Sequence, residues 1–280
     1  MRRDTGFPLP AFMATLQTAS PARSTASRGW RWAVPGALVG GVVALLCFAP
    51  ARWLAAGIAD WTGGRVQLVN ARGTVWNGSA GLVFASGEGG HAAVSLPGAV
   101  GWVLRPGWGT VEATLDLSCC AAQPVHVRLR PEAGGLQLDW SDSTSRWPAA
   151  LLAGFGAPWN SLKPEGVLEL ATQSFTMRLK DSKLALGGRV TLDATDMSSS
   201  LSTLRPMGSY RFVVEGGPVP TLLLTTREGS LQLNGSGSWS GTFMRFSGEA
   251  SAAPGREDAL SNLLNIIGRR EGARSIITLD

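Results

Sequence analysis

The chain has 280 residues, 44% of them hydrophobic and only 16% charged, with 36 glycines. That is enough for one large β domain or two smaller ones around a sizeable core, and the glycine-rich, charge-poor composition argues against charged amphipathic helices. The net charge of +5 lies wholly in residues 1–59, where six arginines stand against Asp4 alone, so the remainder sums to zero and gives no support for a basic nucleic-acid-binding face there.

Residues 1–32 read as a cytoplasmic, disordered N-terminal segment, within which Met13 is a second candidate start. From Ala33 to Ala51 there are 19 residues without a charge. As a helix they extend about 28 Å, close to the ~30 Å hydrocarbon core of a bilayer. Trp30, Trp32 and Trp53 stand at the two ends, and Arg23, Arg28 and Arg31 precede the run. The expectation is a single transmembrane anchor over 33–53, with the N-terminus cytoplasmic and residues 60–280 a domain across the membrane. Ala49-Pro50-Ala51 also fits a signal-peptide cleavage site, although the 32-residue lead is long for one. Lipid attachment through Cys47 is disfavoured by bulky Leu46 before it.

Beyond the anchor, hydrophobicity alternates with period two. "VEATLDL" places Val111, Ala113, Leu115 and Leu117 on one face, and "VHVRLR" repeats the pattern with Val125, Val127 and Leu129. The same rhythm marks 136–140, 167–170, 175–180, 210–215, 231–234 and 243–250, and "SIITL" reads as a last strand. Such runs predict mostly antiparallel sheet with one apolar and one wet face. Two short helices interrupt it. "WPAALLAGFG" has Pro148 for its first turn and Gly156 as its stop. "GREDALSNLLNIIG" has Glu257 and Asp258 in its first turn, a stripe of Leu260, Leu263, Leu264 and Ile267, and Gly268 as C-cap.

The stretch "GTVWNGSAG" predicts a structural hairpin of Gly73, Trp76, Asn77 and Gly78. Asn77-Gly78 would form its tight turn, and Trp76 would hold it to a neighbouring sheet face. "LNGSGSW" echoes it, predicting a second turn at Asn234-Gly235. Cys119 and Cys120 are expected as two reduced, partly buried thiols, with a strained vicinal disulfide as the alternative.

No reactive constellation emerges. Two histidines, His91 and His126, preclude a three-histidine zinc site, and a site of His126 with Cys119 and Cys120 is disfavoured. "NGSAG" fails the G-x-S-x-G nucleophile elbow at Asn77, and no phosphate loop or dinucleotide fingerprint is present. The expectation is therefore no catalytic residue, no metal and no cofactor. Leu260, Leu264, Arg269 and Arg270 are the candidate partner contacts, the two arginines doubling as cations at a helix C-terminus.

Several segments together resemble the N component of the bacterial type II secretion system. They are "ARGTVWNGSA" (71–80), "LLAGFGAPWNSLKPEGVLEL" (151–170), "LSTLRPMGSYRF" (201–212), "LQLNGSGSW" (231–239) and the long block 246–279. The extended N-terminal lead and the terminal Asp280 depart from the family pattern. The resemblance implies an accessory protein of the inner membrane with a periplasmic β domain, working beside other secretion subunits. It also implies likeness to AsmA-like β proteins, hence a curved sheet with a concave apolar face. Two functions follow: a non-enzymatic adaptor that binds partner subunits, or a groove that binds or guides lipid.

Overall fold

The computed structural model describes residues 27–85, 93–181, 183–239 and 243–279. The expected cytoplasmic segment up to residue 26 and His91 lie outside them. The chain divides into two units, the first ending at Leu46.

Helix α1 runs over Ser27–Cys47, all but its last residue in the first unit. Leu38, Val39, Val42, Val43, Leu45 and Leu46 along it are exposed rather than packed into a protein core. The expected unbroken span over 33–53 is corrected here. The helix stops before Pro50, which takes an extended conformation (φ −70°, ψ 145°), and a separate helix α2, Ala51–Trp61, begins after it. Proline has no N–H to continue the ladder and its ring clashes with the preceding turn. Trp53 therefore belongs to α2 and not to the end of an apolar rod. Among the described residues no helix is long and apolar enough to cross a membrane.

The second unit is one 16-stranded sheet. Its first half holds β1 (Val66–Gly73), β2 (Asn77–Ala85), β3 (Ala93–Ser95), β4 (Val100–Gly107), β5 (Thr110–Leu117), β6 (Val125–Glu132), β7 (Gly135–Trp140) and β8 (Ser143–Pro148). A 3-10 helix (Ala149–Phe155) and α3 (Trp159–Leu162) follow. Then come β9 (Glu165–Lys180), β10 (Lys183–Ser198), β11 (Gly208–Glu215), β12 (Thr221–Gly229), β13 (Leu231–Trp239) and β14 (Met244–Ala252). Helix α4 (Glu257–Ile267), β15 (Arg269–Glu271) and β16 (Arg274–Leu279) complete it. The strand order is β1-β2-β4-β5-β6-β7-β9-β10-β11-β12-β13-β14-β16-β15, with β3 on β2 and β8 on β9. The assigned pairings are antiparallel, as the alternation predicts.

The 16-residue strands β9 and β10 join the two halves. β7 pairs with the C-terminal part of β9 (Leu138↔Met177), and β8 with its N-terminal part (Ser145↔Leu170). At the junction the buried Thr172 hydroxyl donates to the Ser141 carbonyl at 2.9 Å and accepts the Ser143 N–H at 3.1 Å. These bonds satisfy backbone groups left over where β7 gives way to β8.

The period-two pattern sets the faces. Leu192, Phe212, Leu224, Gly235, Gly248 and Ile277 form one cross-strand row from β10 to β16 on the apolar face. Two main core clusters lie under this face, one beneath β4–β7 and one beneath β9–β16. The 3-10 helix spans them, since Ala149 belongs to one and Leu151 to the other. Helix α4 covers the second cluster, with the carbonyl of Leu264 accepting from the buried Ser275 hydroxyl at 2.6 Å.

Candidate functional site

The predicted hairpin exists, but its turn lies elsewhere. Residues Thr74 to Trp76 connect β1 to β2, and Asn77 is already the first residue of β2. Gly73 supplies the left-handed conformation (φ +86°), while the Thr74 N–H donates to Asn77 O at 2.8 Å and the Asn77 N–H to Thr74 Oγ1 at 3.1 Å. Gly78 is needed for close approach. A Cβ there would come within 2.6 Å of both the Trp102 ring and the Arg72 carbonyl. Trp76 is half-buried, and its carbonyl accepts from Leu104 N–H at 2.6 Å. The Trp102 side chain ties the turn to the sheet, its indole N–H donating to Val75 O at 3.0 Å. Sequence reasoning missed Trp102 because nothing in its alternating strand marks it out from other core tryptophans. The echo at Asn234-Gly235 is not a turn at all; it lies inside β13, with Asn234 opposite Glu249.

The four candidate contacts divide. Leu260 and Leu264 are fully buried (0% exposed), so they are core residues of α4 and not a partner surface. An apolar stripe on a helix is spent first on its own sheet. The outward face of α4 carries Asn262, Asn265 and Ile266 instead, the last 49% exposed. Arg269 and Arg270 are exposed but belong to β15, with Arg269 Nη2 2.5 Å from Glu271 Oε1 and Arg270 Nε donating to Gly272 O at 2.7 Å.

The sheet ends are poor templates for an added strand. β15 is three residues long, each of them exposed and charged, and β1 carries a register shift between Val69 and Arg72, with Asn70 at φ +54°. Short charged edges and bulges both discourage further pairing.

Cys119 and Cys120 are joined in a vicinal disulfide with a Cα–Cα distance of 3.7 Å, which corrects the expectation of free thiols. The N–H groups of Cys120 and Ala121 both turn back to Leu117 O, at 2.8 and 2.9 Å, so the cysteines sit in a closed turn between β5 and β6. The Cys120 carbonyl then accepts from Arg146 N–H at 2.6 Å, which fixes this turn on β8. His126 stands apart from the pair, its Nδ1 3.2 Å from Thr114 Oγ1. Among the described residues no group of three or more His, Cys, Asp or Glu is arranged to hold a metal.

The outer, polar face is an ion-pair ladder with a groove. Arg211 makes a two-point bond to Asp193, at 2.6 and 2.8 Å, with Arg227 3.6 Å away. The Arg211 hydrogen bond holds the Asp193 carboxyl below its ordinary range against the opposing effect of burial, and the same bond raises Arg211. Arg189 pairs with Glu215. Beside that pair runs an open groove of about 780 Å³, lined by Thr221, Leu223, Ser236, Ser238 and Arg245 among others. Its hydroxyls, the Arg189–Glu215 pair and the exposed Arg245 form a polar surface suited to recognition. On the apolar face, burial pushes the Tyr210 phenol well above its usual value, and its O–H donates to Leu231 O at 3.1 Å. That contact is structural.

No curated protein and no solved structure matches the chain. A family model does, described as Type II secretion system (T2SS), protein N, and it aligns with residues 64–277. The match runs from just before β1 into β16 and so takes in both halves of the sheet. The chain belongs to the type II secretion system protein N family.

Proposed function

We propose that this protein is a non-catalytic accessory subunit of the type II secretion apparatus. It is held at the bacterial inner membrane through α1, with the sheet in the periplasm, and it binds other subunits of the machinery. The family match over the whole sheet carries this reading. Membrane attachment is supported by the exposed apolar side chains of α1 and by the arginines at 23, 28 and 31 ahead of them. Blunted sheet ends favour docking through side chains, on the outward face of α4 and the adjoining β15, over strand addition.

The test is photo-crosslinking in intact cells from Asn262, Asn265, Ile266 and Arg270, one position at a time in the full chain. Capture of a secretion subunit from these positions, and not from the buried Leu264, supports the reading. Capture of no secretion subunit from any of them contradicts it.

A second reading, lipid binding, is favoured by one observation. Leu136, Leu179 and Leu184 stand in register across β7, β9 and β10, and Leu136 and Leu179 remain exposed. Stoichiometric lipid extracted from the purified chain would favour this reading; its absence would remove it.

A further inference from the structure

The geometry points to the hairpin end of β1–β5 as a surface that seats on an anionic lipid bilayer, with Trp53 and Trp108 as its interfacial side chains. This rests on the membrane attachment proposed above and adds which end of the sheet meets the lipid.

Hydrogen bonds define that end. Pro50 bridges to Thr74, and Val75 N–H donates to Ala49 O at 2.8 Å, so the start of α2 lies against the β1–β2 turn. Leu104 N–H donates to Trp76 O at 2.6 Å, which sets β4 beside the same turn. β4 then continues past it to Gly107, where Trp108 and Gly109 close the hairpin onto β5. Residues 49 and 50, two and three positions after the last residue of α1, thus share one end of the sheet with the tip at Trp108.

What this end displays is unusual for a protein surface. Trp108 is 103% exposed and Trp53 is 47% exposed. A bare indole at a hairpin tip buries nothing of its own fold, so its apolar area is free for another phase. The segments that build this end carry Arg52, Arg72 and Arg105, all exposed and without an ion-pair partner among the described residues. Glu112, opposite Arg105 in register, is bonded instead to Arg128 at 2.9 Å. Asp60 lies in the last turn of α2, at its other end. Amphipathic indoles with unpaired guanidinium groups suit the headgroup layer: the rings enter the interface and the cations meet lipid phosphates. A protein partner would have to cover an exposed tryptophan within a shaped pocket, whereas a bilayer accepts it wherever the tip touches.

The experiment uses the full chain with Cys47→Ser and Thr110→Cys, the Cys119–Cys120 bond left intact. An environment-sensitive fluorophore is placed at position 110, and the chain is reconstituted into phosphatidylcholine–phosphatidylglycerol vesicles carrying spin-labelled acyl chains. Expected is loss of most of the emission at 110, with none lost from a label at Asp258→Cys near the start of α4. Adding Trp108→Ala, or omitting phosphatidylglycerol, should restore part of the lost emission. A chain that floats with the vesicles but keeps its full emission at 110 overturns the proposal and leaves the attachment standing. Equal quenching without phosphatidylglycerol overturns the choice of an anionic surface. A chain that does not float with the vesicles overturns both the proposal and the attachment beneath it.

Discussion

Replacing Gly235 by alanine tests whether the Asn234-Gly235 pair is interior strand. The Phe246 ring, 8% exposed, lies over Gly235, and a Cβ at 235 would come within 2.4 Å of its Cζ and 3.0 Å of Gly248 Cα. Ordinary carbon contacts are about 3.5–4.0 Å, so the ring or the strand must move by roughly 1 Å. Overpacking of this kind costs about 1–3 kcal/mol, against which alanine regains about 0.5–1 kcal/mol over glycine in a strand. The net expectation is a loss of about 1–2 kcal/mol, or roughly 3–6 °C in Tm for a body of this size. Phe246→Ala alone should cost about 3–5 kcal/mol through the cavity it leaves. In the double variant the new methyl no longer meets a ring, so the two losses should fall short of additive by about 1 kcal/mol or more. Thermal and denaturant unfolding of the four chains measures this directly. Strict additivity would refute the reasoning, because an unfavourable backbone angle at 235 would weigh the same with or without Phe246.

Leu264→Ala should lower stability by about 2–5 kcal/mol, whereas Ile266→Ala on the opposite face of α4 should stay within about 0.5 kcal/mol, both read by thermal melts. The Asp193 carboxyl is held below its ordinary value of 3.8, so its contribution is present above that value and lost as pH falls through the folded one. Solvent screening limits it to about 0.5–1 kcal/mol, and Asp193→Asn should flatten that part of the stability–pH curve below pH 4. Alkylation of the unfolded, unreduced chain should modify Cys47 alone, with Cys119 and Cys120 reacting only after reduction. Mass spectrometry of three alkylated cysteines without reductant would contradict the bridge.

The sheet was legible in the sequence because burial on one face forces the period-two alternation that "VEATLDL" and "VHVRLR" display. Residues 167–170 and 175–180 read as two strands, yet they are one, β9. An extra residue near Ser174 (φ +48°) shifts the apolar parity from Leu168 and Leu170 to Met177 and Leu179, and a period-two reading takes such a shift for a break. The facing Gly187-Gly188 looks like a turn for the same reason, which hid β10. Asn-Gly is a strong turn signal only where backbone angles decide; at Asn234-Gly235 the bulk of Phe246 decides. The apolar run through Trp53 hid a helix boundary at Pro50, since hydropathy cannot separate apolar residues left exposed along a helix, as Leu38 and Val42 are, from those packed under a sheet, as Ala51 and Leu54 are. The α4 stripe was visible, but which side of a helix remains for a partner depends on what its own fold covers. The disulfide depends on a turn whose closure is set by Leu117 and Arg146, neither of which advertises it.

The most direct measurement is recovery of the tagged full chain from fractionated cells. The account predicts that the chain sediments with inner membranes, is released by detergent, and carries other type II secretion subunits through purification. A chain recovered from the soluble fraction, or from membranes without any secretion subunit bound, would contradict it.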